Sequence, residues 1–293
     1  MKNLKGLSSN YLFGNLCKKN LIMRFLILLL FLPLKGITQL SFDTIKMSKS
    51  VEETSGLEIL GNYLITHNDS GDKPKLYIIN QEGEKIMEIE LNQLKNKDWE
   101  DIAADSENYY IADTGNNYGT RENLKIYILD KDFFLQGKIS IRYQSQTTFS
   151  RQLKNKYDAE ALAVVGDHLV LFSKNRKTLK SEIYSFPKVA GDYVLTPKAI
   201  IDSKALITAA DYYNDKDLIA LTGYNFQGDQ FFYTIKNFVK NGYDKIKLER
   251  YLIPIKPAQI EAVKIIDEDE FWISSESEDN GKPRLFRFKL KPD

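Results

Sequence analysis

Three glutamates recur at the same place in a repeated pattern. Glu100 lies 13 residues before Asp113, Glu160 lies 13 before Ser173, and Glu261 lies 13 before Ser274. Each precedes a short apolar run, a polar turn and a second apolar run ending in small or polar residues. Ala209 and Thr222 keep the interval without a carboxylate, and Ser55 takes the glutamate's place in a shorter first copy. Two chemistries are open to carboxylates repeated in this way. A buried carboxylate is tolerable when it is paired, so each could accept backbone N–H bonds from the next copy and staple the copies together. Alternatively, several oxygens converging on one point suit a hard cation such as calcium, which takes flexible oxygen coordination at about 2.3–2.6 Å. Lys174 and Arg176 could balance the same charge by ion pairing.

The elements that position these residues can be read from the repeat. Five segments share one plan: 55–69 with KLYIINQEG, 99–117 with LKIYILD, 159–175 with SEIYSFP, 209–225 with QFFYTIKN, and 260–278 with RLFRFKL. Each is an opening strand, a polar turn, a returning strand, a loop, and an aromatic third strand. Fourth strands are read at EKIMEIEL, ISIRYQSQTTF, YVLTPKAII and KLERYLIPI. Copies begin roughly 45 to 60 residues apart, the spacing of four-stranded propeller blades. The fifth copy lacks a fourth strand, while residues 40–47 (LSFDTIKM) form an orphan strand ahead of the first. Placing that strand at the outer edge of the last blade closes the ring and hides an exposed edge. The fold expected is an all-β, five-bladed β-propeller in a single domain, 39–293. The interval Ser140 to Tyr157 leaves room for a sixth blade.

In a propeller the opening strands line the central axis, which brings Glu100, Glu160 and Glu261 to one mouth of the channel. The returning strands end at the same face. Asn68, Asp69, Asp113, Asn116, Asn117, Lys174, Asn175, Asn225 and Glu276 then sit in or beside the loops above it. Glu100, Glu160, Glu261 and Asn116 are the candidate metal ligands, and the others are candidate ligand-binding residues. His67 is a weak candidate general base. His168 falls in a hairpin turn away from that mouth. There is no Gly-x-Ser-x-Gly, His-x-x-x-His or P-loop, so serine-triad, zinc and nucleotide chemistry have no support.

Charge and the N-terminus bound the setting. The first 38 residues carry six basic side chains and no acidic ones, and the rest of the chain has 35 basic against 40 acidic residues. That balance gives no footprint for nucleic acid. A basic flank, an apolar run from Phe25 to Leu34, and small or polar residues to Gln39 form the layout of a secretory signal peptide, 1–38. The run is too short to serve as a transmembrane anchor, and Met23 is a second candidate start. Cleavage is expected near Thr38 or Gln39. Cys17, the chain's one cysteine, precedes the apolar run, so the exported chain would have neither disulfides nor a thiol nucleophile. A periplasmic or secreted bacterial monomer is expected.

The motifs WEDIA, AEALA and ADTGNN resemble those of secreted bacterial propellers grouped with SdiA-regulated and esterase-like phytase domains. More distantly they are similar to calcium-dependent gluconolactonase and paraoxonase propellers. That resemblance implies a channel metal held by glutamate, asparagine and aspartate, here Glu100, Glu160, Glu261 and Asn116 or Asn68. Blades one and four lack the glutamate, and those hydrolases usually have six blades. The reading favoured is an exported propeller that binds a small molecule, glycan or protein at its acidic, amide-lined mouth. The alternative is a calcium-dependent hydrolase of a lactone, ester or phosphoester, with a metal-bound water or His67 as base.

Overall fold

The computed structural model describes residues 40, 42–255, 257–277 and 281–290. The expected signal peptide and its expected cleavage point lie outside the described residues. Leu40–Asp293 forms one compact unit. Among the described residues there are five sheets arranged in a ring, a five-bladed β-propeller.

The chain opens with β1 (Phe42–Lys46). Blade one is β2 (Thr54–Leu60), β3 (Tyr63–Asn68), β4 (Lys75–Ile79) and β5 (Lys85–Glu90). Blade two is β6 (Asp101–Ala104), β7 (Asn108–Asp113), β8 (Lys125–Asp130) and β9 (Leu135–Tyr143). Blade three is β10 (Ala159–Val165), β11 (His168–Ser173), β12 (Ser181–Pro187) and β14 (Ala199–Ile201), with β13 (Gly191–Leu195) between the last two in the chain but in the sheet of blade two. Blade four is β15 (Leu206–Tyr213), β16 (Leu218–Tyr224), β17 (Gln230–Lys236) and β18 (Glu249–Ile253). Blade five is β19 (Ile260–Ile265), β20 (Glu270–Ser275) and β21 (Arg284–Lys289). β1 completes this last blade, pairing antiparallel with β21 from Phe42↔Phe288 to Lys46↔Arg284. The ring closes as the orphan strand predicted.

Burial follows radial position. The inner strand β10 is buried along nearly its whole length, whereas the outer strand β5 is mostly exposed. Five sheets meeting at one axis leave little room there, so the inner strands carry small side chains: Ala103, Ala159, Ala161, Ala163, Ala209 and Ala262 are all buried. Larger side chains fill the wedges between blades. Each of the five blade junctions has its own apolar cluster, such as Phe232 against Phe271 at 4.7 Å between blades four and five.

One expectation needs correction, and one alternative falls away. YVLTPKAII is not one strand: β13 leaves its own blade and runs parallel to β9 of blade two, and only the short β14 pairs with β12. The switch covers the otherwise open edge of β9. No sixth blade forms among the described residues, because 144–158 is a connector whose Tyr157 ring packs on Tyr143 at 5.6 Å.

Candidate functional site

The mouth is built by the lead-in residues of the inner strands and the loops that follow the second strands. Glu100 sits just before β6, fixed by its N–H to the Ala112 carbonyl at 2.9 Å. In blade three the ladder runs Ala159↔Ser173 and then Ala161↔Phe172, leaving Glu160 in a β-bulge. Blade five repeats this around Glu261 and blade four around Thr208. The blade-four counterpart is therefore Thr208, not Ala209, because the hairpins differ in length by a residue or two. A bulge re-aims its extra side chain away from the ladder, which turns these glutamates into the mouth.

Stapling falls to other residues. The Ser55 hydroxyl donates to the Glu100 carbonyl, Thr114 Oγ1 to the Ala159 carbonyl at 2.8 Å, and Thr208 Oγ1 to the Ile260 carbonyl at 2.6 Å. Asp101, the residue after Glu100, accepts backbone N–H groups from two other blades. It takes Leu162 N–H at 2.8 Å and Ala210 N–H at 3.2 Å, joining blades two, three and four at the axis. Below it, Lys264 lies 2.9 Å from Glu58 and 3.1 Å from Asp211, a buried charged plug toward the far end of the channel.

Around Glu100 the carboxylates crowd. Asp69, Asp98 and Glu100 each place an oxygen within 4.8 Å of one another, and so do Glu100, Asp158 and Glu160. Glu100 belongs to both groups and is 4 % exposed, yet its Oε1 has no hydrogen-bond partner. Gly115 covers this oxygen so closely that a Cβ there would stand 1.9 Å from it. Burial first, then its acidic neighbours, raise Glu100 well above the usual carboxylate range. The same order of causes pushes Asp69 up to about 8. Burial also pushes Asp98 up to about 6, against the pull of Arg121. These acidic clusters could hold a metal ion.

The other side of the mouth is basic. Lys174 is buried and ion-paired to Glu160, its Nζ 4.9 Å from the Tyr224 ring centre. Burial raises Glu160 to about 7 in spite of that partner. Burial would lower Lys174, but Glu160 and Glu261 outweigh it and hold the ammonium charged. Arg176 binds Asp158 at 2.9 Å and contacts Asn117. Glu261 feels Lys174, Glu160, Glu276 and Asp69, so it shares the mouth, but it is in neither three-carboxylate group.

The remaining candidates hold the frame. Asn116 is fully engaged, donating its N–H to Asp158 at 2.7 Å and its amide to the Tyr157 carbonyl, and accepting from Arg121 N–H. Asp113 is buried and anchors Arg121 at 2.6 Å and Lys125 at 3.3 Å. Asn175 and Asn225 cap their own turns. Asn68 donates to the Ser50 carbonyl and to Asp72. His67 has no exposed surface. Its ring meets Trp99 edge-on at 5.6 Å, its Nδ1 lies 3.1 Å from the Asn68 carbonyl rather than bonding Asp69, and burial lowers it to about 4. The 13-residue reading passed over Asp98 and Asp158. Their signal was present: Asp-x-Glu occurs at 98–100 and again at 158–160.

No family model matches the chain, and no curated protein matches it. Among solved structures, the PQQ-bound aldose sugar dehydrogenase of Streptomyces coelicolor is similar at 10% identity with a TM-score of 0.51, covering 87% of this chain and 99% of its own. A Bacteroides fragilis protein described as exported aligns at 10% identity with a TM-score of 0.41, over 89% of this chain and 98% of its own. At such identity the likeness is one of fold alone: the class is β-propeller. Among the described residues no helix is long and apolar enough to cross a membrane.

Proposed function

We propose that this chain is an exported propeller that binds a hard divalent cation, of the calcium kind, in its mouth and through it a small ligand. The observation that carries the reading is Glu100 Oε1, a buried acceptor without a partner at the vertex shared by two carboxylate groups. An unpaired buried acceptor is costly, and carboxylates this close repel one another unless a cation or protons intervene. Asp69, Asp98 and Glu100 would hold the ion, Asp158 being tied to Arg176 and to the Asn116 N–H. Glu160 is committed to Lys174, Asn116 to its loop, and Glu261 stands apart from the cluster. Bound there, the cation would polarise or orient an oxygen-bearing ligand.

Charge narrows the ligand class. Seven carboxylates act at the mouth (Asp69, Asp98, Glu100, Asp158, Glu160, Glu261, Glu276) against three cationic side chains (Lys174, Arg176, Arg121). With all of them ionised, one divalent ion leaves the mouth negative, which favours neutral, hydroxyl-bearing ligands over anions. The second reading, a hydrolase of a lactone, ester or phosphoester, draws on the same cation, but the sealed His67 is out of a substrate's reach, which leaves only a cation-bound water as its base. Export rests on the layout of residues 1–38. The test is calcium titration by calorimetry with melting measured in calcium and in chelator. Saturable binding with a higher melting temperature supports the reading, and no binding with equal melting overturns it.

A further inference from the structure

The face opposite the mouth carries a cleft that the proposed cation site does not use. It lies between blades three and four and encloses about 510 Å³. Its floor and walls include Val165, Val170, Tyr212, Phe238 and Tyr243, and its polar lining includes Ser185, His168, Lys198 and Asn214. A volume in the range of about 300–1,000 Å³ with apolar walls and a few polar groups is the usual make-up of a small-molecule site.

One insertion builds this cleft. Between β17 and β18 the chain makes a helical turn, Phe238–Asn241, entered through Asn237 at φ +55° and left through Gly242 at φ +66°. Phe238 is buried under the junction of blades three and four, and Tyr243 meets it edge-on at 5.5 Å. Asp217 pins the turn: its carboxylate accepts Val239 N–H at 2.8 Å, Lys240 N–H at 3.0 Å and the Tyr212 hydroxyl at 3.2 Å. The wall is thus formed before any ligand arrives, and the charge of Asp217 is taken up by those donors. At the opposite lip His168 pairs with Val165 across its hairpin. No lining residue is acidic, and Lys198 and His168 are both exposed, with no side-chain partner among the described residues.

We infer that this cleft binds a small apolar carboxylate, an aryl or short-chain acid whose body lies against Phe238 and Tyr243. Its carboxylate meets Lys198 and His168. The test uses 1-naphthoate as the probe, followed by calorimetry on the full chain in chelator so that the mouth plays no part. Naphthalene-1-methanol is the neutral control. The expected result is saturable naphthoate binding, weakened roughly tenfold by Lys198→Met as one charge-assisted hydrogen bond is lost. The alcohol should bind more weakly and ignore that substitution. Val239→Asp, at a position 59% exposed on the lip, should weaken naphthoate further without unfolding the blade. Absence of saturable binding, or equal naphthoate affinity in Lys198→Met, overturns the inference. So does binding of the alcohol as tight as the acid.

Discussion

Replacing Asp98 by Asn separates the cation reading from a purely structural one, because the two predict opposite signs. Burial raises the Asp98 carboxyl from its ordinary 3.8 to about 6 in the fold. A carboxyl raised in this way contributes stability that is full below about pH 3.8 and lost as pH rises through about 6. At pH 8 in chelator the ionised group therefore costs the fold up to about 3 kcal/mol, from roughly 2.2 units at 1.36 kcal/mol each. Asn removes that cost, a net figure that already includes the pull of Arg121. The expected outcome is a melting temperature up to roughly 6 °C higher for a domain of this size. At pH 5 the wild-type carboxyl holds its proton in the fold, and the advantage of Asn shrinks by about half. In excess calcium the order reverses, since the variant lacks a ligand and gains less from binding; a thousandfold loss of affinity is worth about 4.1 kcal/mol at saturating ion, more than the gain in chelator. Scanning calorimetry of both proteins at pH 8, in chelator and in calcium, reads all of this. A shift of the same sign in both buffers refutes the reasoning.

Gly115→Ala places a methyl 1.9 Å from Glu100 Oε1 and 2.5 Å from Asp98 Cγ, so the chain should fold but lose calcium-induced stabilisation in the same scans. Asp101→Ala strands the Leu162 and Ala210 N–H groups at the axis and should cost about 3 kcal/mol or more in denaturant unfolding, with Asp101→Asn costing clearly less. Starting the chain after Lys46 removes β1 and bares β21; size-exclusion chromatography should show association that a chain starting at Gln39 lacks.

Much of the architecture was legible because a propeller repeats a local pattern. Strand alternation, turn residues and the spacing of copies are short-range properties, and the orphan strand at 40–47 followed from counting. The mouth was legible for the same reason: inner strands share a direction, so Glu100, Glu160 and Glu261 had to open at one end. The register of individual residues was less so. A fixed 13-residue interval cannot see that hairpins differ in length by a residue or two, which moved the blade-four counterpart from Ala209 to Thr208.

The sequence by itself determined the repeated copies, the closing strand and an acidic mouth, since these depend on neighbours in the chain, while the structure settled five blades over six. Only the tertiary structure decided which acids do what. Asp101 meets Leu162 and Ala210 across 61 and 109 residues of sequence, Lys174 ion-pairs Glu160, and Gly115 seals Glu100. β13 crosses to the neighbouring blade for a similar reason: an open strand edge is satisfied by whatever backbone lies beside it in space. A carboxylate's role depends on burial and on which charges stand within a few ångströms, and those distances exist only once the ring has closed.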